Sequence, residues 1–134
     1  MARSMATLQI CDATPSGTKV ATFTLRELDE RLTVRELIRA RIYQEVQDYN
    51  LSGGTHFRGL VQPTGSEASP AGFRFGRRRP LDWEEQYRRA LEAFERNGFF
   101  VLVGDRQAES LDDGFEVTPE TEVSFVKLVP LVGG

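Results

Sequence analysis

The sequence predicts an α+β domain, with its strands and helices in separate runs. Three observations carry this. Two alternating apolar and polar runs flank a Pro/Gly turn near the start. A hydroxyl and carboxylate cap then opens an apolar stripe at helical spacing. Two more apolar runs of strand length stand near the end, the last leading into Pro130 and Gly133-Gly134.

The first run is Thr7–Asp12, with Leu8 and Ile10 on one face; the second is Val20–Leu25, with Phe23 and Leu25 inward. Pro15-Ser16-Gly17-Thr18 supplies turn chemistry between them, so the pair is read as a β-hairpin. Thr33 and Glu36 stand three apart, the spacing at which each side chain can satisfy the other's backbone N–H. Val34, Leu37, Ile38, Ile42, Val46 and Tyr49 follow at helical spacing, a stripe expected to face the sheet. Asn50 and Ser52-Gly53-Gly54 are expected to stop that helix.

From Leu51 to Pro80, Gly, Ser, Pro and Thr dominate. This stretch is read as a long irregular insertion with a short extended piece around Phe57–Val61. Arg77-Arg78-Arg79 closes it and is expected to be a solvated run, although three arginines can also meet a phosphate or an acidic partner. A second helix follows. Asp82 and Glu85 form a second capping pair, and Trp83, Tyr87, Ala90, Leu91 and Phe94 form an amphipathic stripe. Asn97-Gly98 is the expected C-cap.

Phe99–Val103 is short and wholly apolar, the pattern of a central strand buried on both faces. Gly104–Gln107 reads as a turn, Ser110–Phe115 as a short helical turn or loop, and Thr118–Thr121 as a tight turn feeding the last strand. There is no internal repeat. The chain is read as a single domain over 1–134, with an insertion at about 51–98 and a flexible tail over 130–134.

The composition is that of a soluble globular protein: 134 residues, 40% hydrophobic, 28% charged and net charge -3. No apolar run approaches the roughly 20 residues that span a bilayer. No hydrophobic segment follows the first residues, so a secretory leader is not expected. A single cysteine, Cys11, fits a cytoplasmic location. The acidic balance gives no reason to expect nucleic acid as a partner.

Catalytic chemistry is hard to assemble from one histidine and one cysteine. No Cys/His set has metal-ligand spacing. Cys11 falls in a predicted strand and His56 in a glycine-rich loop. Cys11 is expected to be a small core or surface thiol and His56 a solvated loop histidine, with no metal or cofactor and no catalytic residue.

The tail has a use of its own. Pro130 lacks an N–H and cannot continue a ladder, so it marks the end of the sheet. Gly133-Gly134 form a thin thread that can pass a narrow channel and present a carboxylate. Two glycines in succession at a given place arise by chance in about 0.5% of sequences. Val129, Leu131 and Val132 would be exposed apolar residues, a pattern that marks docking surfaces. Together with Val101 they are the residues expected to recognise partners.

The order hairpin, helix, strand, short turn, last strand and Gly-Gly resembles the β-grasp fold of ubiquitin and its relatives. The resemblance covers Thr7–Asn50 and Phe99–Gly134, and Phe99–Gly114 is its most specific stretch. Glu122–Gly134 is also similar to the sulfur-carrier branch of that family, the small proteins of molybdopterin and thiamin synthesis. The insertion over Leu51–Gly98 is the departure. Inserted β-grasp proteins of this kind occur in bacterial operons with an activating enzyme, a conjugating enzyme and a JAB-type metalloprotease.

The resemblance implies that an activating enzyme, using ATP and Mg²⁺, adenylates the carboxylate of Gly134 and takes it as a thioester. A modifier then forms an isopeptide or ester bond to a protein target. A sulfur carrier instead becomes a thiocarboxylate. A β-grasp domain can also act as a non-covalent docking module. In each case the chain itself is not an enzyme. Fifteen arginines against two lysines, Lys19 and Lys127, leave few amines on which chains of the protein could build. Target, linkage and oligomeric state are left open.

Overall fold

The computed structural model describes residues 5–69 and 72–128. Two long strands, β1 (Met5–Ala13) and β2 (Lys19–Asp29), form the expected hairpin, with Leu8 opposite Leu25 and Ile10 opposite Phe23. Leu8, Ile10 and Leu25 are fully buried and Phe23 is half-buried. The turn is closed by Thr14, which accepts from Gly17 and donates to Thr18, with Gly17 at φ 93°.

A short strand, β3 (Arg31–Thr33), leads into helix α1 (Val34–Ser52). Thr33 and Glu36 make the reciprocal cap, each side chain accepting from the other's backbone N–H. The helix runs two residues past Asn50 and ends at Gly53, which has the left-handed conformation that glycine adopts without strain. Every residue of the expected stripe is buried.

The insertion differs from the expected irregular loop. It holds a three-stranded sheet in the order β4 (His56–Phe57), β6 (Gly72–Arg74), β5 (Glu67–Ser69). Short strands separated by long loops leave no period to read, and they form here because each borrows its partner from elsewhere in the insertion. Phe57 and Phe75 pack with Tyr49 of α1 in a small second core, the Tyr49 and Phe57 rings meeting edge to face at 5.3 Å.

Helix α2 (Trp83–Glu95) is N-capped by Asp82, which accepts from Glu84 N–H. The reciprocal partner expected in Glu85 is absent, because that carboxylate accepts from Thr64 instead. At the other end Asn97, not Gly98, is the left-handed residue, at φ 61°. Ala90 and Phe94 join the main core; Trp83, Tyr87 and Leu91 pack against it half-buried.

The last third supplies β7 (Phe99–Val103), β8 (Arg106–Gln107), β9 (Gly114–Glu116) and β10 (Val123–Lys127). Strand β7 was expected to be buried on both faces. Phe99 and Val101 are buried, whereas Phe100, Leu102 and Val103 are half-buried, because the core lies on one face of the sheet. The expected turn at 104–107 is tighter: Gly104 turns at φ 63° and Arg106-Gln107 return as an edge strand. Ser110–Phe115 holds a turn and then β9, which pairs with β3.

The main sheet has the order β2-β1-β10-β7-β8. Its central strand, β10, runs parallel to β1, with Ile10 beside Val123 and Asp12 beside Phe125. All other pairs in it are antiparallel. The molecule is therefore α+β, with α1 and α2 packed on each other over a mixed five-stranded sheet. Among the described residues no helix is long and apolar enough to cross a membrane.

Candidate functional site

The tail residues singled out by sequence, Val129, Pro130, Leu131, Val132, Gly133 and Gly134, lie outside the described residues. What the structure describes is the root from which they leave, at Lys127 and Leu128. Val101 is corrected. It is fully buried between the helices and the sheet, so it is a core residue and presents nothing to a partner.

Four charged side chains meet at that root. Asp12 is on β1, Lys127 is the last residue of β10, and Arg41 and Glu45 stand one turn apart on α1. Each occupies the inward position of its element. Asp12 continues the parity of Leu8 and Ile10, Lys127 that of Val123 and Phe125, and Arg41 falls between Ile38 and Ile42 on the buried stripe.

The Arg41 guanidinium forks onto both Asp12 oxygens, at 2.8 Å for Nη2 to Oδ2, and its Nε donates to Glu45 Oε2 at 2.7 Å. The Phe23 and Phe125 rings lie within 4.9 and 4.6 Å of it. Lys127 Nζ stands 3.9 Å from Asp12 Oδ2 and donates to the carbonyl of Gly59 at 3.0 Å. Glu45 Oε1 accepts from Leu60 N–H. Two cations and two anions balance, and every one is tied by a directional bond, which is what buried charge requires.

The electrostatics follow from burial. Burial by itself lowers the Arg41 pKa, but Glu45 and Asp12 outweigh it and hold the guanidinium above its ordinary range. Burial pushes the Glu45 carboxyl up, and Arg41 with the Leu60 N–H offsets this only in part. Burial lowers Lys127, against the pull of Asp12.

A cavity of about 260 Å³ opens beside the cluster. Phe23, Arg41, Glu45, Tyr49, Phe57 and Arg58 line it. The buried Tyr49 hydroxyl has no hydrogen-bond partner among the described residues.

Cys11 and His56 are not brought together. The Cys11 thiol is buried against the Ser124 hydroxyl at 3.2 Å, and His56 Nε2 is 3.0 Å from the Ser69 hydroxyl. No trio of His, Cys, Asp or Glu among the described residues is placed to hold a metal. Of the arginine run, Arg78 donates to the Asn50 carbonyl, and Arg79 donates to the Thr64 carbonyl and lies over the Phe75 ring. Arg77 stays exposed. Sequence reasoning missed the ion cluster, although one signal was present: a charge at the inward register of three apolar elements. No family model, curated protein or solved structure matches this chain.

Proposed function

We propose that this chain is a ubiquitin-like modifier of the β-grasp kind, activated at the carboxylate of Gly134 and joined by it to protein targets. One observation carries the reading: the sheet order β2-β1-β10-β7-β8, with the first and last strands parallel at its centre and α1 crossing between hairpin and β7. That topology brings the final strand to the middle of the sheet. That strand ends at Lys127, and Pro130-Leu131-Val132-Gly133-Gly134 follow it in the sequence.

Chemically, an activating enzyme exchanges pyrophosphate of ATP for the Gly134 carboxylate, giving an acyl-adenylate. A cysteine thiolate displaces AMP, and a target amine displaces the thiolate to leave an amide. The modifier supplies the carboxylate, exposed as translated or after processing, and a recognition surface. A conjugating enzyme and a JAB-type protease would complete the cycle in a bacterial cytoplasm, and the rate acceleration belongs to those partners.

The test is to incubate the chain with ATP, Mg²⁺ and an activating enzyme from its own organism. A thioester released by reductant, and lost on deletion of Gly133-Gly134, supports the reading. A gain of about 16 Da, sulfur for oxygen, replaces it with a sulfur carrier. No adenylate and unchanged partner binding after the deletion leave a docking module.

A further inference from the structure

The cavity beside the ion cluster has a volume of about 260 Å³ and takes its lining from β2, from α1 and from the start of the insertion. Its apolar walls are Phe23, Leu25, Tyr49 and Phe57, three of them aromatic. A cavity of about 150 Å³ with apolar walls holds a benzene ring. The volume here admits such a ring and one small substituent.

The buried and half-buried polar side chains of the lining are already engaged, with one exception. Gln44 donates to the Thr24 carbonyl at 2.9 Å, and His56 Nε2 pairs with the Ser69 hydroxyl. Arg41 and Glu45 are held by each other, by Asp12 and by the Leu60 N–H. The exception is Tyr49, which is 5% exposed and whose hydroxyl has no hydrogen-bond partner among the described residues. A buried hydroxyl left unpaired costs free energy, and an acceptor brought by a ligand recovers it. The charges of the lining cancel, Arg41 and Arg58 against Glu45 and Asp48. An anion would meet the two carboxylates and a cation the two guanidinium groups. A polyhydroxylated ligand needs several free buried partners and would find one.

We propose that this cavity is a binding site for a small neutral aromatic molecule, a single ring bearing a hydrogen-bond acceptor such as a carboxamide, with the Tyr49 hydroxyl donating to that acceptor. The ring packs among Phe23, Tyr49 and Phe57, where offset and edge-to-face contacts add to the burial of its apolar area. Binding is non-covalent and uses no group of the tail, so it stands apart from the reading of function above.

The experiment titrates the full chain with four probes of one size, following backbone amide shifts by NMR. Benzamide is neutral and carries an acceptor, benzoate is its anionic counterpart, benzylamine its cationic one, and toluene lacks the acceptor. The expected result is saturable binding of benzamide with a Kd of about 1 mM or tighter, and binding of benzoate and benzylamine at least about tenfold weaker. Tyr49→Phe keeps the ring and its packing on Phe57 and Phe75, and removes only the hydroxyl. It should weaken benzamide about tenfold and leave toluene unchanged, a split that a merely structural tyrosine would not give. If that variant does not fold, the map of shifts in the unaltered chain decides. Shifts gathered on 23–25, 41–52 and 56–58 support the site, and shifts gathered elsewhere overturn it. Benzamide that fails to saturate by about 10 mM shows a recess filled by solvent and overturns the proposal. Equal benzamide affinity in Tyr49→Phe overturns the role of the hydroxyl, and tighter binding of benzoate or benzylamine overturns the neutral class.

Discussion

Lys127 donates a hydrogen bond to the carbonyl of Gly59, 68 residues earlier in the chain, at 3.0 Å. That bond joins the last residue of the central strand to the insertion. The same ammonium faces Asp12 across the parallel pair, so the insertion, the sheet and the root of the tail share one set of charges.

Removing one member of that set should cost more than its contacts suggest. Arg41→Met leaves Asp12 and Glu45 buried without their cation, and the expected loss is about 3–5 kcal/mol in urea unfolding. Asp12→Asn combined with Arg41→Gln should cost less than the two single changes added, by about 0.5–3 kcal/mol, because the double variant leaves Glu45 and Lys127 to balance. Additive losses would mean that the fork does not act as a unit.

Stability should depend on pH through two groups of opposite sign. Burial raises Glu45 above its ordinary 4.5, so the folded state keeps that proton longer. Its contribution is full below 4.5 and is lost as pH rises through the folded-state value. Burial lowers Lys127 below its ordinary 10.5, so the folded state sheds that proton first. This contribution is present above 10.5 and is lost as pH falls through the folded-state value. Urea midpoints across pH should show Glu45→Gln flattening the decline above 4.5 and Lys127→Met removing the rise towards 10.5.

Gly72 sits at φ 148°, and a Cβ there would lie 2.5 Å from the Phe57 carbonyl oxygen. Both the conformation and the backbone contact oppose any side chain. Gly72→Ala should destabilise the insertion sheet by about 1–3 kcal/mol. Limited proteolysis should then cut within 53–81 faster than in the parent. Equal cutting rates would show that the sheet tolerates the change.

The two helix caps should differ. Thr33→Ala removes one half of a reciprocal pair, while Asp82→Ala removes a single bond to Glu84 N–H. Each should cost about 0.5–2 kcal/mol, with Thr33 the larger, as read from thermal or urea unfolding. Glu36→Ala should reproduce part of the Thr33 loss, whereas Glu85→Ala should leave the α2 cap intact.

The sequence by itself determined the elements whose signals are short-range. The hairpin was legible because Leu8, Ile10, Phe23 and Leu25 alternate across one turn, and α1 because Thr33, Glu36 and a stripe from Val34 to Tyr49 fall within 17 consecutive positions. It also ends in Gly133-Gly134, which lie outside the described residues. Only the tertiary structure decided what pairs at a distance. The insertion sheet exists because β4 finds β6 across a loop, and Val101 is core because both helices cover its face of the sheet. Arg41, read one residue at a time, looks like a surface charge. It is 1% exposed because Asp12, 29 residues earlier, and Lys127, beyond the insertion, are brought to it by a parallel strand pair. A buried charge is stable only with its partners present, and no local pattern states where those partners will be.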